Sequence, residues 1–222
     1  MAIITQVLPT KKQKGNMLEV FIDDESYGLI HVEAFVKSGL KVGKEIDGIT
    51  LKQTIDSSNV LVATDMVNKL LSKMLKTEKE LVTYLKQKGF NQYVIDATIS
   101  KFKEYKIIND LSYADRYIAS KKSTYGKKRL KMELINKGID DKTLDTAFSD
   151  FENDFDTVMR LATKYMKNKE IDMKNLAKLS NYLLSRGFDY EEINRVVRKF
   201  KEGDAYEDWM WCITSRENFT NT

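Results

Sequence analysis

Hydrophobic residues along this chain fall at the same helical spacing three times over, each time around a glycine. Aligned on Gly89, Gly138 and Gly187, which stand 49 residues apart, three segments share their apolar positions: ELVTYLKQKGFNQYVIDATISKF (80–102), RLKMELINKGIDDKTLDTAFSDF (129–151) and KLSNYLLSRGFDYEEINRVVRKF (178–200). Leu81, Leu130 and Leu179 correspond, as do Leu85, Leu134 and Leu183 four residues on. Past the glycine come Phe90, Ile139 and Phe188, then Ile95, Leu144 and Ile193, then Phe102, Phe151 and Phe200. Spacings of i, i+4 before the glycine, and i, i+4, i+7 from Ile95 through Ile99 to Phe102, lay these side chains on single helical faces. The glycine suits the left-handed position just past a helix end, and the bulky residue after it suits the clasp of a Schellman turn. Asn91, Asp140 or Asp189 then offers an N-cap for the next helix, while Thr77 with Glu80 and Asp189 with Glu192 have capping-box spacing.

A further periodic stretch precedes each pair: ATDMVNKLLSKML (63–75), YADRYIASKK (113–122) and VMRLATKYMKN (158–168). The pattern predicts a mainly α protein of three tandem three-helix units at 61–110, 111–157 and 158–203, each sharing buried faces with its neighbours. Residues 1–60 read as a small β-rich N-terminal module and linker. MLEVFID and YGLIHV are strand-like around the turn-prone DDES (23–26), VEAFVKSGL is a short helix, and KVGKEIDG is a polar connection. LKQTIDSSN (51–59) is expected to link module and repeats, loosest at Ser57, Ser58 and Asn59. Residues 204–222, DAYEDWMWCITSRENFTNT, form a tail with no place in the repeat.

Composition narrows the function. One proline and ten glycines are too few for an all-β chain, and 42% hydrophobic residues can fill a core. A single cysteine, Cys212, permits no internal disulfide. No apolar run approaches the length that spans a bilayer, so the expected setting is the cytoplasm, with no membrane partner. Catalytic constellations are missing from the sequence. GLKVGK (39–44) resembles a phosphate-binding loop but has three residues between its glycines where four are required, with Glu45 in the Ser/Thr place. His31 has no second histidine, Asp23-Asp24-Glu25 reads as a solvated hairpin turn, and Cys212 beside Trp209 and Trp211 lacks a histidine partner. The expectation is a non-enzyme with no catalytic residues, metal or cofactor.

Basic residues carry more information. Arg116 to Lys137 holds eight cations opposed only by Glu133, and 160–202 holds eleven basic against six acidic residues. Lys127, Lys128 and Arg129 stand where the second helix of unit two should begin. Positive charge there opposes the helix dipole, so folding does not ask for it, and free backbone N–H groups could dock an anion. The candidate surface for nucleic acid or a nucleoprotein filament is Lys121, Lys122, Lys127, Lys128, Arg129 and Lys131, with Lys164, Lys167, Arg195 and Arg198 as a second set. Tyr125 and Tyr113 lie beside it as stacking candidates.

With these residues laid out, the chain resembles the RecX family of recombination regulators. The resemblance rests on SKMLKTEKEL (72–81), YLKQKGF (84–90), KIINDLSYADRYI (106–118) and YGKKRLKMELINKGI (125–139). FIDDESYGLI (21–30) and GLKVGKEID (39–47) look like the longer form common in low-GC Gram-positive bacteria. Lys73 and Lys76 stand where the family commonly has arginine. The resemblance implies a non-enzymatic regulator that binds the RecA–single-stranded-DNA filament, lies in its groove and lowers its ATPase and strand-exchange activity. It implies RecA and single-stranded DNA as partners, with double-stranded DNA as a further candidate; the expected state is a monomer. The alternative is an architectural or regulatory DNA-binding protein that works without RecA.

Overall fold

A computed structural model describes residues 2–10 and 16–203, so the expectations for Trp209, Trp211, Cys212 and the tail lie outside the described residues. The chain divides within helix α5 (Asp110–Lys121) into two units, Met1–Tyr113 and Ala114 onward.

In the first unit, strands β1 (Ala2–Pro9), β2 (Met17–Ile22) and β3 (Glu25–His31) form an antiparallel meander. The two-residue β4 (Glu45–Ile46) extends β1, giving the order β3-β2-β1-β4. The β2–β3 turn carries Asp23 and Asp24 at φ 47° and 66°, as a two-residue primed hairpin turn requires, and aspartate tolerates that region better than most residues. The turn is tied to the sheet: Asp24 N donates to Thr5 Oγ1 at 3.0 Å, and Asp23 Oδ1 accepts from Ile3 N at 3.4 Å. His31 ends β3 and starts α1 (Val32–Ser38), its Nδ1 accepting from Glu33 N at 3.2 Å. Burial holds this imidazole below its ordinary pKa. The segment resembling a phosphate loop also belongs to the sheet. Gly43 N donates to Ile4 O at 2.7 Å, and Ile4 N donates to Lys44 O at 3.2 Å.

The expected linker is not a linker. Residues 51–59 lie inside α2 (Gly48–Leu71), a 24-residue helix whose buried stripe is Leu51, Ile55, Val62, Ala63 and Val67. Asn59 interrupts that stripe in the sequence and is itself buried, at 1% exposure. Its Oδ1 accepts from His31 N at 2.8 Å and its Nδ2 donates to Leu29 O at 3.1 Å, so the helix closes the open edge of β3. One core runs from Ile4, Val20 and Ile30 through α2 to Leu81, Leu85, Ile95 and Phe102 of helices α3 (Glu78–Gln87) and α4 (Gln92–Glu104).

The second unit continues with α6 (Lys127–Asn136), α7 (Asp141–Ala147), α8 (Phe155–Met166), α9 (Met173–Ser185) and α10 (Tyr190–Glu202). All three marked glycines sit in the left-handed region, at φ 86°, 89° and 85°. Each closes a Schellman turn: Phe90 N donates to Leu85 O at 3.3 Å, Ile139 N to Leu134 O at 3.2 Å and Phe188 N to Leu183 O at 3.3 Å. Asn91 and Asp140 cap the following helices through Val94 N and Thr143 N at 2.9 and 3.0 Å, and Glu192 accepts from Asp189 N at 2.8 Å. The middle copy departs at one place. Helix α7 ends at Ala147, so Phe148 fills the core and Phe151 is only half-buried, edge-on to Phe148 at 5.3 Å. Asp150 and Glu152 follow without a basic residue in the last turn, and negative charge opposes the dipole at a helix C-terminus.

Candidate nucleic-acid interface

Helix α6 begins at Lys127, as the charge pattern predicts, but its N-terminal donors are not free. Gly126, its N-cap, offers no side chain. Instead Gly126 N donates to Arg186 O at 2.9 Å and Lys128 N to Gly187 O at 3.2 Å. The positive end of α6 thus docks on the carbonyl end of α9, and the expected anion seat is filled by the chain's own backbone. The approach demands two glycines. A Cβ on Gly126 would lie 2.4 Å from Gly187 O, and one on Gly187 would lie 2.4 Å from Arg129 N.

The same contact explains cations at this helix start. Arg129 Nη1 donates to Ser185 O at 3.0 Å, its Nε pairs with Glu133 at 3.1 Å, and its guanidinium covers the Tyr125 ring at 4.3 Å. Arg186 approaches the same ring at 5.6 Å while its Nη1 donates to Thr124 O at 3.1 Å. Two arginines thus lie against the Tyr125 ring. Lys128 pairs with Asp189 at 2.7 Å, and that hydrogen bond, then the carboxylate's charge, raises its ammonium above the usual lysine range. Lys131 pairs with Asp145 at 3.1 Å. Tyr117 first and Arg129 next hold the Glu133 carboxyl below its usual pKa.

The remaining predicted cations are spread over several elements. Lys127 lies 3.5 Å from Phe148 O, and Lys121 lies 5.7 Å from the Tyr125 ring. Lys122 is exposed in the turn after α5, with no ion pair among the described residues. Arg160, on α8, donates to Ser123 O at 2.8 Å and so ties that turn to α8. Lys164 follows Arg160 by four residues and Lys167 by seven, on the same helical side; both are exposed and without an ion pair among the described residues. Lys121 and Lys122 thus stand at a turn that Arg160 touches, and Lys164 and Lys167 lie about one and two helical turns beyond Arg160 along α8. Arg195 and Arg198 instead line a cleft of about 660 Å³ with Asn153, Phe155, Glu191 and Glu192, where Arg195 covers the Phe155 ring at 4.1 Å.

Arg160 and Arg186 escaped the sequence reading. A signal for Arg186 was present. Tyr84 with Lys88 and Tyr182 with Arg186 occupy equivalent places before their glycines, and the structure sets each cation over its ring, at 5.5 and 4.6 Å.

Comparison with known proteins agrees with this architecture. The models of the first, second and third three-helix domains of RecX match residues 66–102, 109–147 and 152–197. A regulatory protein RecX of Clostridium acetobutylicum is 34% identical over 204 residues, 88% of this chain and 95% of the relative. That of Clostridioides difficile is 32% identical over 213 residues, 93% of this chain and all of the relative. The crystal structure of RecX from Lactobacillus salivarius superposes with a TM-score of 0.60 at 25% identity, over 65% of this chain and 98% of that one. A second crystal structure, of a regulatory protein RecX, gives a TM-score of 0.62 at 19% identity over 88% of this chain and 98% of that one. Three matched helical domains and near full-length similarity place the chain in the RecX family of regulatory proteins.

Proposed function

We propose that the protein regulates homologous recombination by binding the RecA–single-stranded-DNA filament and lowering its ATPase and strand-exchange activity. It does so in the cytoplasm, as a monomer, by occupying a surface and without a reaction of its own. The observation that carries this reading, for a chain of this family, is a set of exposed cations, Lys122 in the turn after α5 and Lys164 and Lys167 along α8, the helix that Arg160 ties to that turn. Unlike Lys128, Arg129 and Lys131, these three lysines take no ion pair among the described residues, so their charge remains available to an anionic polymer. Exposed ammonium groups suit an anionic nucleoprotein, and such contacts weaken as salt rises. Arg195 and Arg198 form a second contact region beside the α10 cleft.

The test is ATP hydrolysis by RecA on single-stranded DNA. Substoichiometric protein lowers the rate, and the effect fades as salt is raised. Hydrolysis unchanged at equal stoichiometry refutes the reading.

A further inference from the structure

A continuous series of aromatic rings and cations runs through the second unit. Lys169 Nζ lies 3.3 Å from the centroid of Tyr165. The Tyr165 and Tyr182 rings stack at 4.5 Å with 24° between their planes. Arg186 lies 4.6 Å from Tyr182 and 5.6 Å from Tyr125, which carries Arg129 in turn. At these separations the Lys169 ammonium and the Tyr182 ring occupy opposite faces of Tyr165.

The members of this column are not held equally. Arg186 and Arg129 are tied to the carbonyls of Thr124 and Ser185. Lys169 is exposed, lies in the loop between α8 and α9, and makes no ion pair among the described residues. The outer face of half-buried Tyr165 thus carries a solvated ammonium on a flexible stem. A nucleobase stacked on an aromatic ring is the stronger contact of the two. A base can therefore displace the ammonium, which moves onto an adjoining phosphate. The surroundings favour such a visitor: residues 160–178 hold six basic side chains against Glu170 and Asp172, and Lys164 and Lys167 flank the ring in sequence.

We propose that the outer face of Tyr165 is a stacking seat for one unpaired base of a single-stranded nucleic acid, with Lys164, Lys167 and Lys169 contacting the neighbouring phosphates. The seat rests on the regulatory reading above and adds to it a direct contact with the strand.

The test uses the full chain and two fluorescent 20-nucleotide strands of equal charge, oligothymidylate and its abasic counterpart, followed by anisotropy without RecA. The wild type prefers the thymidine strand. Tyr165→Ala and Tyr165→Leu weaken thymidine binding about 5- to 100-fold while abasic binding changes less than about twofold. Tyr165→Phe, which keeps the ring, binds as the wild type does. Lys169→Ala flattens the salt dependence by about one released counterion on both strands. Equal wild-type affinity for the two strands overturns the seat. So does undiminished thymidine binding by either ring-removing variant, or equal loss on both strands by Tyr165→Leu, which retains apolar bulk. A wild type that inhibits RecA yet ignores the bases removes the seat and leaves the regulatory reading intact. Base preference without any effect on RecA does the reverse.

Discussion

The replacement Gly126→Ala tests the docking of α6 on the α9 turn. The added methyl would lie 2.4 Å from Gly187 O, 2.6 Å from Gly187 C and 2.7 Å from Phe188 N. All three are backbone atoms, so no side chain can swing aside, and the helix start must withdraw from the turn. Overpacking of this kind costs about 1–3 kcal/mol. The bonds from Gly126 N to Arg186 O and from Lys128 N to Gly187 O stretch with it, at about 1 kcal/mol each. Alanine's smaller unfolded-state entropy offsets about 0.4–1 kcal/mol. The net expectation is destabilisation of the second unit by about 2–4 kcal/mol, and each kcal/mol lowers the melting temperature of a unit this size by about 4–8 °C. Scanning calorimetry should show that loss of at least about 8 °C in one transition. The control is Gly28→Ala, where an added Cβ meets nothing within 4 Å and the change should stay within about 0.5 kcal/mol. A Gly126→Ala protein that melts within about 2 °C of wild type would mean that the two turns do not touch.

Two further outcomes follow from buried polar groups in the first unit. Asn59→Leu leaves His31 N–H and Leu29 C=O without partners, so urea unfolding should show a loss of about 2–5 kcal/mol, with the His31 amide losing its protection from hydrogen exchange. Burial holds the folded His31 imidazole below its ordinary value of 6.5. As pH falls through that value the unfolded chain takes up the proton first. Stability is therefore full above it and declines below, until the folded imidazole also titrates. His31→Asn keeps a capping acceptor and should flatten urea midpoints between about pH 5 and 7; an unchanged slope would assign the pH dependence to other groups.

What could be read from the sequence was local. Gly89, Gly138 and Gly187 announce their turns because the left-handed residue, the apolar clasp and the next N-cap lie within a few positions of each other. Asn59 was misread because its need arises elsewhere. A polar residue in an apolar stripe looks like a break until β3 presents an open edge to it. β4 was missed because a two-residue strand has no periodicity of its own and takes its conformation from β1. Gly126 and Gly187 are 61 residues apart in sequence, so nothing near Lys127, Lys128 and Arg129 reveals that another helix end supplies the negative pole. The candidate site changed for that reason. Of the trio that drew notice for its charge, Lys128 and Arg129 take ion pairs, whereas Lys122, Lys164 and Lys167 are exposed with no ion pair among the described residues.

Charge reversal separates those two roles at the filament. The measurement is RecA's ATP hydrolysis on single-stranded DNA in the presence of wild type or of a triple variant, Lys122→Glu, Lys164→Glu and Lys167→Glu. All three side chains are exposed and unpaired among the described residues, so the variant should melt within a few degrees of wild type. It should inhibit at least about tenfold less well at moderate salt, because three favourable contacts become repulsive. A folded variant that slows RecA as strongly as the wild type would show that these lysines are not where the protein meets the filament.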